Sequence, residues 1–306
     1  MTQKTVTETV ETKTGGSAKR WRIPRHVIVF LAPAVIIYTL FMVYPLIDSL
    51  RLSLYSDEGL FVGLDNIREL FPGGNLSSSF WNALRNNFVF FAFHFFVQNP
   101  VGLLIAVLLT QPGLRGRGVY RTLIFGPTLL SVVIVGFIWQ LILSPLWGLV
   151  ETPLLGKTAT ALPTLSLMSV WQYIGIPMMF FYATLVGIPE DLLEAARVDG
   201  ATGWKIFWKI TFPLLLPMIG IISIITYIAN LNAFDLIYSV QGALAGPEFS
   251  TDIMGTLFYR SFFGQQLQIG STAVGATVAT AMFVVILIGV LVYLFGFQRR
   301  VTTYEL

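Results

Sequence analysis

Cysteine is absent from this 306-residue chain, histidine occurs only as His26 and His94, and charged side chains amount to 11%. Without cysteine there is no disulfide, thiolate metal site, iron–sulfur cluster or cysteine nucleophile, and two histidines cannot build a histidine metal cluster. Soluble domains carry about 25% charged residues because their whole surface meets water. Here 55% of residues are hydrophobic and the mean hydropathy is +0.74, so most of the outside faces a lipid bilayer. A net charge of +3 is too small to argue for a nucleic-acid partner. Catalytic signatures are missing as well. Gly156-Lys157-Thr158 ends like a phosphate-binding loop, but Glu151 stands where that loop needs its first glycine, and HExxH and GxSxG do not occur. Neither an enzyme nor a bound cofactor or metal is expected in this chain.

What the sequence has is long apolar runs. A helix needs roughly 20 apolar residues to cross the hydrocarbon, because no backbone polar group can be left unpaired in lipid. Residues 27–47, 88–109, 119–143, 165–188, 212–234 and 273–297 qualify, which predicts an all-α membrane protein of six transmembrane helices. The expected organisation is a disordered, basic, Thr-rich tail over 1–26, one six-span domain over 27–298, and a short tail over 299–306. Lys19, Arg20, Arg22 and Arg25 precede the first run, but that run exceeds a typical signal-peptide core and no A-x-A-like site follows, so it reads as an uncleaved span. With the N-terminus inside, 14 of the 19 Lys and Arg fall in inside segments, so both termini are expected in the cytoplasm.

The longest inside loop, 189–213, carries the most information. Pro189 suits a first helical turn, Glu190, Asp191 and Glu194 suit the positive end of a helix dipole, and Gly200 falls where a left-handed cap is needed. Beyond it Trp204, Phe207, Trp208 and Thr211 recur at helical spacing opposite Lys205 and Lys209, which predicts a second helix lying in the membrane interface. An ordinary ordered connector would account for the same pattern on physical grounds alone.

Glu194, Ala195, Ala196, then Asp199-Gly200, Ile210 and Pro213 resemble the EAA motif of binding-protein-dependent ABC importer permeases, with Phe212 where that family usually has Leu. The resemblance implies that these residues couple the chain to a cytoplasmic ATPase dimer, which binds the ATP and Mg. It further implies a second homologous permease subunit, an extracytoplasmic solute-binding protein, alternating access and a bacterial inner membrane. The stretches 31–46, 61–66, 80–87, 195–201 and 234–240 are similar to the carbohydrate branch, the maltose and glycerol-3-phosphate permeases, and imply a sugar or polyol substrate. Ala245 replaces the first of two glycines usual before Pro247 in that branch.

Polar residues within spans are candidates for the pathway, with bundle packing by interhelical hydrogen bonds as the alternative. Asn87, Phe91, His94 and Gln98 share one helical face, as do Ser223, Tyr227, Asn230 and Phe234, and as do Trp171, Gly175, Met178 and Tyr182. Aromatic rings pack on sugar C–H faces while amides read hydroxyls, which makes Tyr227, Asn230, Phe234, Trp171, Tyr182, Gln98 and His94 the candidate contacts. The rival reading, an ion-gradient transporter or channel, predicts paired carboxylates in the spans or two similar halves with broken helices, and the spans hold no carboxylate beyond their ends.

Overall fold

A computed structural model describes residues 25–147, 151–265 and 269–300. Residues 1–24 of the expected N-terminal tail and 301–306 of the C-terminal one lie outside the described residues. The chain divides into two compact units, 1–47 and 48–306. It is nearly all helical: α1 (Val27–Leu52), α2 (Ser77–Thr110), α3 (Arg117–Phe125), α4 (Val132–Ile142), α5 (Thr158–Tyr173), α6 (Gly175–Val186), α7 (Glu190–Val198), α8 (203–231), α9 (Asp235–Gln241), α10 (Met254–Phe263) and α11 (Thr272–Phe297). Among the described residues four helical stretches are long and apolar enough to cross a membrane, or six if the bent pairs ending at Ile142 and Val186 each count as one span.

Proline goes with a π turn at three places and with a bend at two, while Pro33, Pro163 and Pro217 lie inside helices that continue past them without either. Pro45, Pro100 and Pro213 each lie two residues after a five-residue π turn, Thr39–Val43, His94–Gln98 and Phe207–Thr211 respectively. Proline lacks an N–H and its ring pushes against the carbonyl four residues back, and the wider π turn takes up both effects. The helices therefore continue, and α2 runs unbroken for 34 residues, about 50 Å at 1.5 Å per residue. In α8 the same device overturns the expected separate interfacial helix, because 203–211 joins the apolar run in one helix. No π turn precedes Pro127 or Pro177. Pro127 sits in the 3-10 turn Gly126–Leu129, after which the axis swings 95° into α4, and Pro177 lies just past a 43° bend between α5 and α6.

The second half of α2 packs along α6, where a Cβ on Gly102 would lie 3.0 Å from the Pro177 ring. Buried Ala106, Leu109, Met178, Phe181 and Ile222 fill the junction of these helices with α8. At the other end of the bundle Asn87, fully buried, donates to the Asn230 carbonyl at 2.8 Å and accepts the Met254 N–H at 2.7 Å. One amide thus adds a donor to a carbonyl near the end of α8 that also takes the Ala233 N–H at 3.3 Å, and satisfies an orphan donor at the start of α10. Asp57 does similar work for α11, accepting the Ala273 N–H at 2.9 Å. The Ser271 hydroxyl and the Ala273 N–H hold its carboxyl below the usual aspartate value.

Candidate functional site

A cavity of about 340 Å³ opens where α8 ends at Leu231 and the chain turns through 232–234 into α9. Its polar wall comes from four helices. His94 is buried, with Nδ1 2.8 Å from the Phe90 carbonyl and Nε2 2.9 Å from Ser169 Oγ. A carbonyl only accepts, so Nδ1 carries the proton and the Ser169 hydroxyl donates to Nε2 of the neutral ring. Asn230 donates to the Thr226 carbonyl at 2.7 Å, which leaves its buried Oδ1 without a protein donor, and Gln98 Oε1 is likewise unpaired. Asn232 and Asp235 face the cavity from the turn, Tyr173 from α5, and Phe90, Phe180 and Phe234 supply aromatic surface. Asp235 is the single charged residue of the lining, so the polar part of the wall is neutral amides and hydroxyls with one carboxylate, set in a larger apolar surface of aromatic rings and aliphatic side chains such as Ile176, Ile222 and Ile225.

Of the residues singled out in the sequence, His94, Gln98, Asn230 and Phe234 meet at this cavity. Phe234 does so from outside the fifth-span helix, in the link before α9, so it does not share a helical face with Asn230. Tyr227 points elsewhere: its hydroxyl donates to the Val285 carbonyl of α11 at 2.7 Å and Phe91 meets its ring edge-on. Trp171 packs against Trp139, and Tyr182 lies under the Arg121 guanidinium at 4.8 Å. The bend at Ile174 splits their common helix, which is why the line Trp171, Gly175, Met178, Tyr182 does not form one face. Ser169, Tyr173, Thr226, Asn232 and Asp235 were missed. The spacing Asn230-x-Asn232-x-x-Asp235 at the end of an apolar run was the available signal.

The segment 189–213 forms a helical corner. Pro189 caps α7 from just outside, and Gly200 has φ +76°. The Ala201 N–H bonds the Ala196 carbonyl at 2.9 Å and the Gly200 N–H bonds that of Arg197 at 3.0 Å, a Schellman termination with Asp199 as the last half-helical residue. Glu194 and Ala195 are exposed, Val198 is 86% exposed, and Ala196 is turned inward and buried. Ile210 and Pro213 are half-buried and belong to α8, not to the corner itself.

Residues 98–302 match the binding-protein-dependent transport system inner membrane component family. The chain belongs to that family. It is 31% identical to the lactose transport system permease protein LacF of Rhizobium radiobacter over 76% of this chain and 82% of that one. With the sn-glycerol-3-phosphate transport system permease protein UgpA of Agrobacterium fabrum it shares 28% identity over 90% of this chain and 95% of that one. Among solved structures, a bacterial ABC transporter involved in the import of the acidic polysaccharide alginate has the same fold, with a TM-score of 0.75, 23% identity, and 91% and 96% of the two chains covered. In this permease the family match contains the corner and most of the cavity, whereas α1 and His94 precede it.

Proposed function

We propose that this permease carries a sugar or related polyol inward through the cavity at the α8–α9 break, in six spans with both termini in the cytoplasm, as half of a pathway completed by a second permease. The carrying observation is the mixed wall, where a cluster of neutral amides and hydroxyls stands among aromatic rings within a mainly apolar lining. Relatives named for lactose, starch degradation products and arabinooligosaccharides support the substrate class. ATP and Mg are bound by a separate ATPase dimer. α7 docks on that dimer through Glu194, Ala195 and Val198, its exposed face. When ATP draws the ATPase subunits together, the docked corners move with them, and the rigid Schellman turn passes that motion into α8, whose far end borders the cavity. Substrate arrives from an extracytoplasmic binding protein while the cavity faces outward.

The test uses the reconstituted complex. Asn230→Ala and Asp235→Asn should raise the half-saturating concentration of loaded binding protein, or slow transport, with basal ATP hydrolysis retained. Ala195→Trp, on the exposed face, should abolish stimulation of hydrolysis by the loaded binding protein in a fully inserted chain. Normal transport in both cavity variants would place the substrate elsewhere, and normal stimulation with tryptophan at position 195 would remove α7 from the coupling surface.

A further inference from the structure

Between Glu69 and Glu151 the sequence has no acidic residue, and this stretch holds Arg115, Arg117 and Arg121 within seven positions. The ion pairs among the described residues are Arg51–Asp48, Arg68–Asp65 and Arg260–Asp252, so none of the three arginines has a carboxylate. Arg117 reaches back from α3 to the Gln111 carbonyl at the end of α2, donating Nη2 at 2.6 Å. Arg121, one turn on, lays its guanidinium over the Tyr182 ring of α6 at 4.8 Å. The Nε atoms of both are buried without an acceptor. Arg115 is exposed in the turn that leads into α3. Two cations thus reach the crevice at the junction of the end of α2, α3 and α6, a third lies exposed in the turn that leads into α3, and no carboxylate among the described residues pairs with any of them.

The other side of α3 is apolar and uncovered, with Val119 61%, Tyr120 47% and Leu123 67% exposed. α3 meets the wholly uncharged α4 at the 95° bend, and neither helix is long enough to cross the hydrocarbon alone. Arg121 meets Tyr182 near the end of α6 that leads into the corner, while the Phe125 end of α3 abuts Gly175 deeper in the bundle, so it is the arginine end of α3 that lies at headgroup depth, where long basic side chains and tyrosine are favoured. We propose that this crevice binds an anionic glycerophospholipid, with its phosphate between the guanidiniums of Arg115 and Arg121 and an acyl chain along Val119 and Leu123. Basic pockets between membrane helices suit such headgroups because a phosphate accepts several charge-assisted hydrogen bonds at once. The apolar flank sets the occupant apart from a soluble phosphate, which has no use for it. The inference rests on membrane placement and is independent of the transported substrate.

The assembled complex, delipidated in detergent, is titrated with dioleoyl phosphatidylglycerol or dioleoyl phosphatidylcholine, and bound lipids are counted by native mass spectrometry. The wild type should hold one more phosphatidylglycerol than the Arg115→Gln/Arg121→Gln variant, with affinity lowered about 10- to 30-fold by the loss of two charges. Lys205→Gln/Lys209→Gln, two charges removed at another basic stretch, should leave that lipid in place. Equal loss in this control, equal retention of phosphatidylcholine, or displacement of the lipid by millimolar inorganic phosphate would overturn the proposal. Should the double variant fail to assemble, Arg115→Gln alone carries the test, since Arg115 makes no hydrogen bond among the described residues, and a loss of about 5-fold is expected.

Discussion

Asp252 and Arg260 form the one buried ion pair among the described residues, with side chains 1% and 6% exposed. Arg260 Nη2 donates to Oδ2 at 2.7 Å and Nη1 to Oδ1 at 3.2 Å, while the Thr256 hydroxyl adds a bond to Oδ1 at 2.7 Å. The remaining Nη1 capacity goes to the Ala243 carbonyl, and the guanidinium stacks over Phe249. Both carboxylate oxygens and both terminal guanidinium nitrogens have partners, which is the condition under which a buried pair is tolerated. Removing one partner strands the other charge in a low-dielectric site. Asp252→Asn should therefore destabilise the chain by about 3–5 kcal/mol, whereas joint replacement by Asp252→Leu and Arg260→Met should recover most of the loss. Thermal unfolding of the purified protein measures both, and a mild effect of Asp252→Asn would mean that water reaches the site. In sequence these two residues look like ordinary charges of the connection between the fifth and sixth runs, whereas α10 brings Arg260 back over Asp252.

At the scale of helices, α8 and α11 are joined by a reciprocal fit. Tyr227 of α8 lies where a Cβ on Gly289 would fall, and Phe297 of α11 crowds Gly220 in the same manner. Small residues let membrane helices approach because lipid gives them no hydrophobic reason to associate, so packing and hydrogen bonds must supply the attraction. Gly289→Ala should destabilise the chain by about 1–3 kcal/mol through overpacking, and Tyr227→Phe by about 1 kcal/mol through loss of the bond to the Val285 carbonyl. Both should leave the half-saturating concentration of loaded binding protein unchanged in the complexes that assemble. A shifted concentration with unaltered stability would return Tyr227 to the substrate pathway. The tyrosine stood among the pathway candidates because spacing on a helix identifies a face but not what that face meets.

For the whole molecule, the proposed orientation rests on the distribution of basic residues, and the roles proposed for the corner, the cavity and the arginine crevice all depend on it. The cysteine-free background makes the test direct. Lys205→Cys, at the start of α8, should be shielded from an impermeant thiol reagent in intact cells, and Asp65→Cys, in the loop after α1, should be labelled. The reverse pattern would place α7 on the side away from ATP and end the coupling argument.

Composition alone determined that this chain lives in lipid, and local signals determined most of its helices and the corner after α7. Hydropathy acts on windows of about 20 residues and caps on fewer than six, so both are written contiguously in the sequence. Gly200 in its left-handed cap and the acids at the start of α7 are of this kind. Tertiary structure decided which faces meet. Three π turns accompany prolines in α1, α2 and α8, the last joining 203–211 to a span that reads as starting at 212, while the run 119–143, which reads as continuous, bends at Pro127 and the turn at 232–234 ends the fifth run short of Phe234. Each shift of register rotates everything beyond it, which carries Ser169, Tyr173 and Asp235 to the cavity and leaves Tyr227, Trp171 and Tyr182 against other helices. In water the inward face of a helix is marked by its apolar stripe. In a bilayer both faces are apolar, so the inward one is fixed only by the neighbours it packs against.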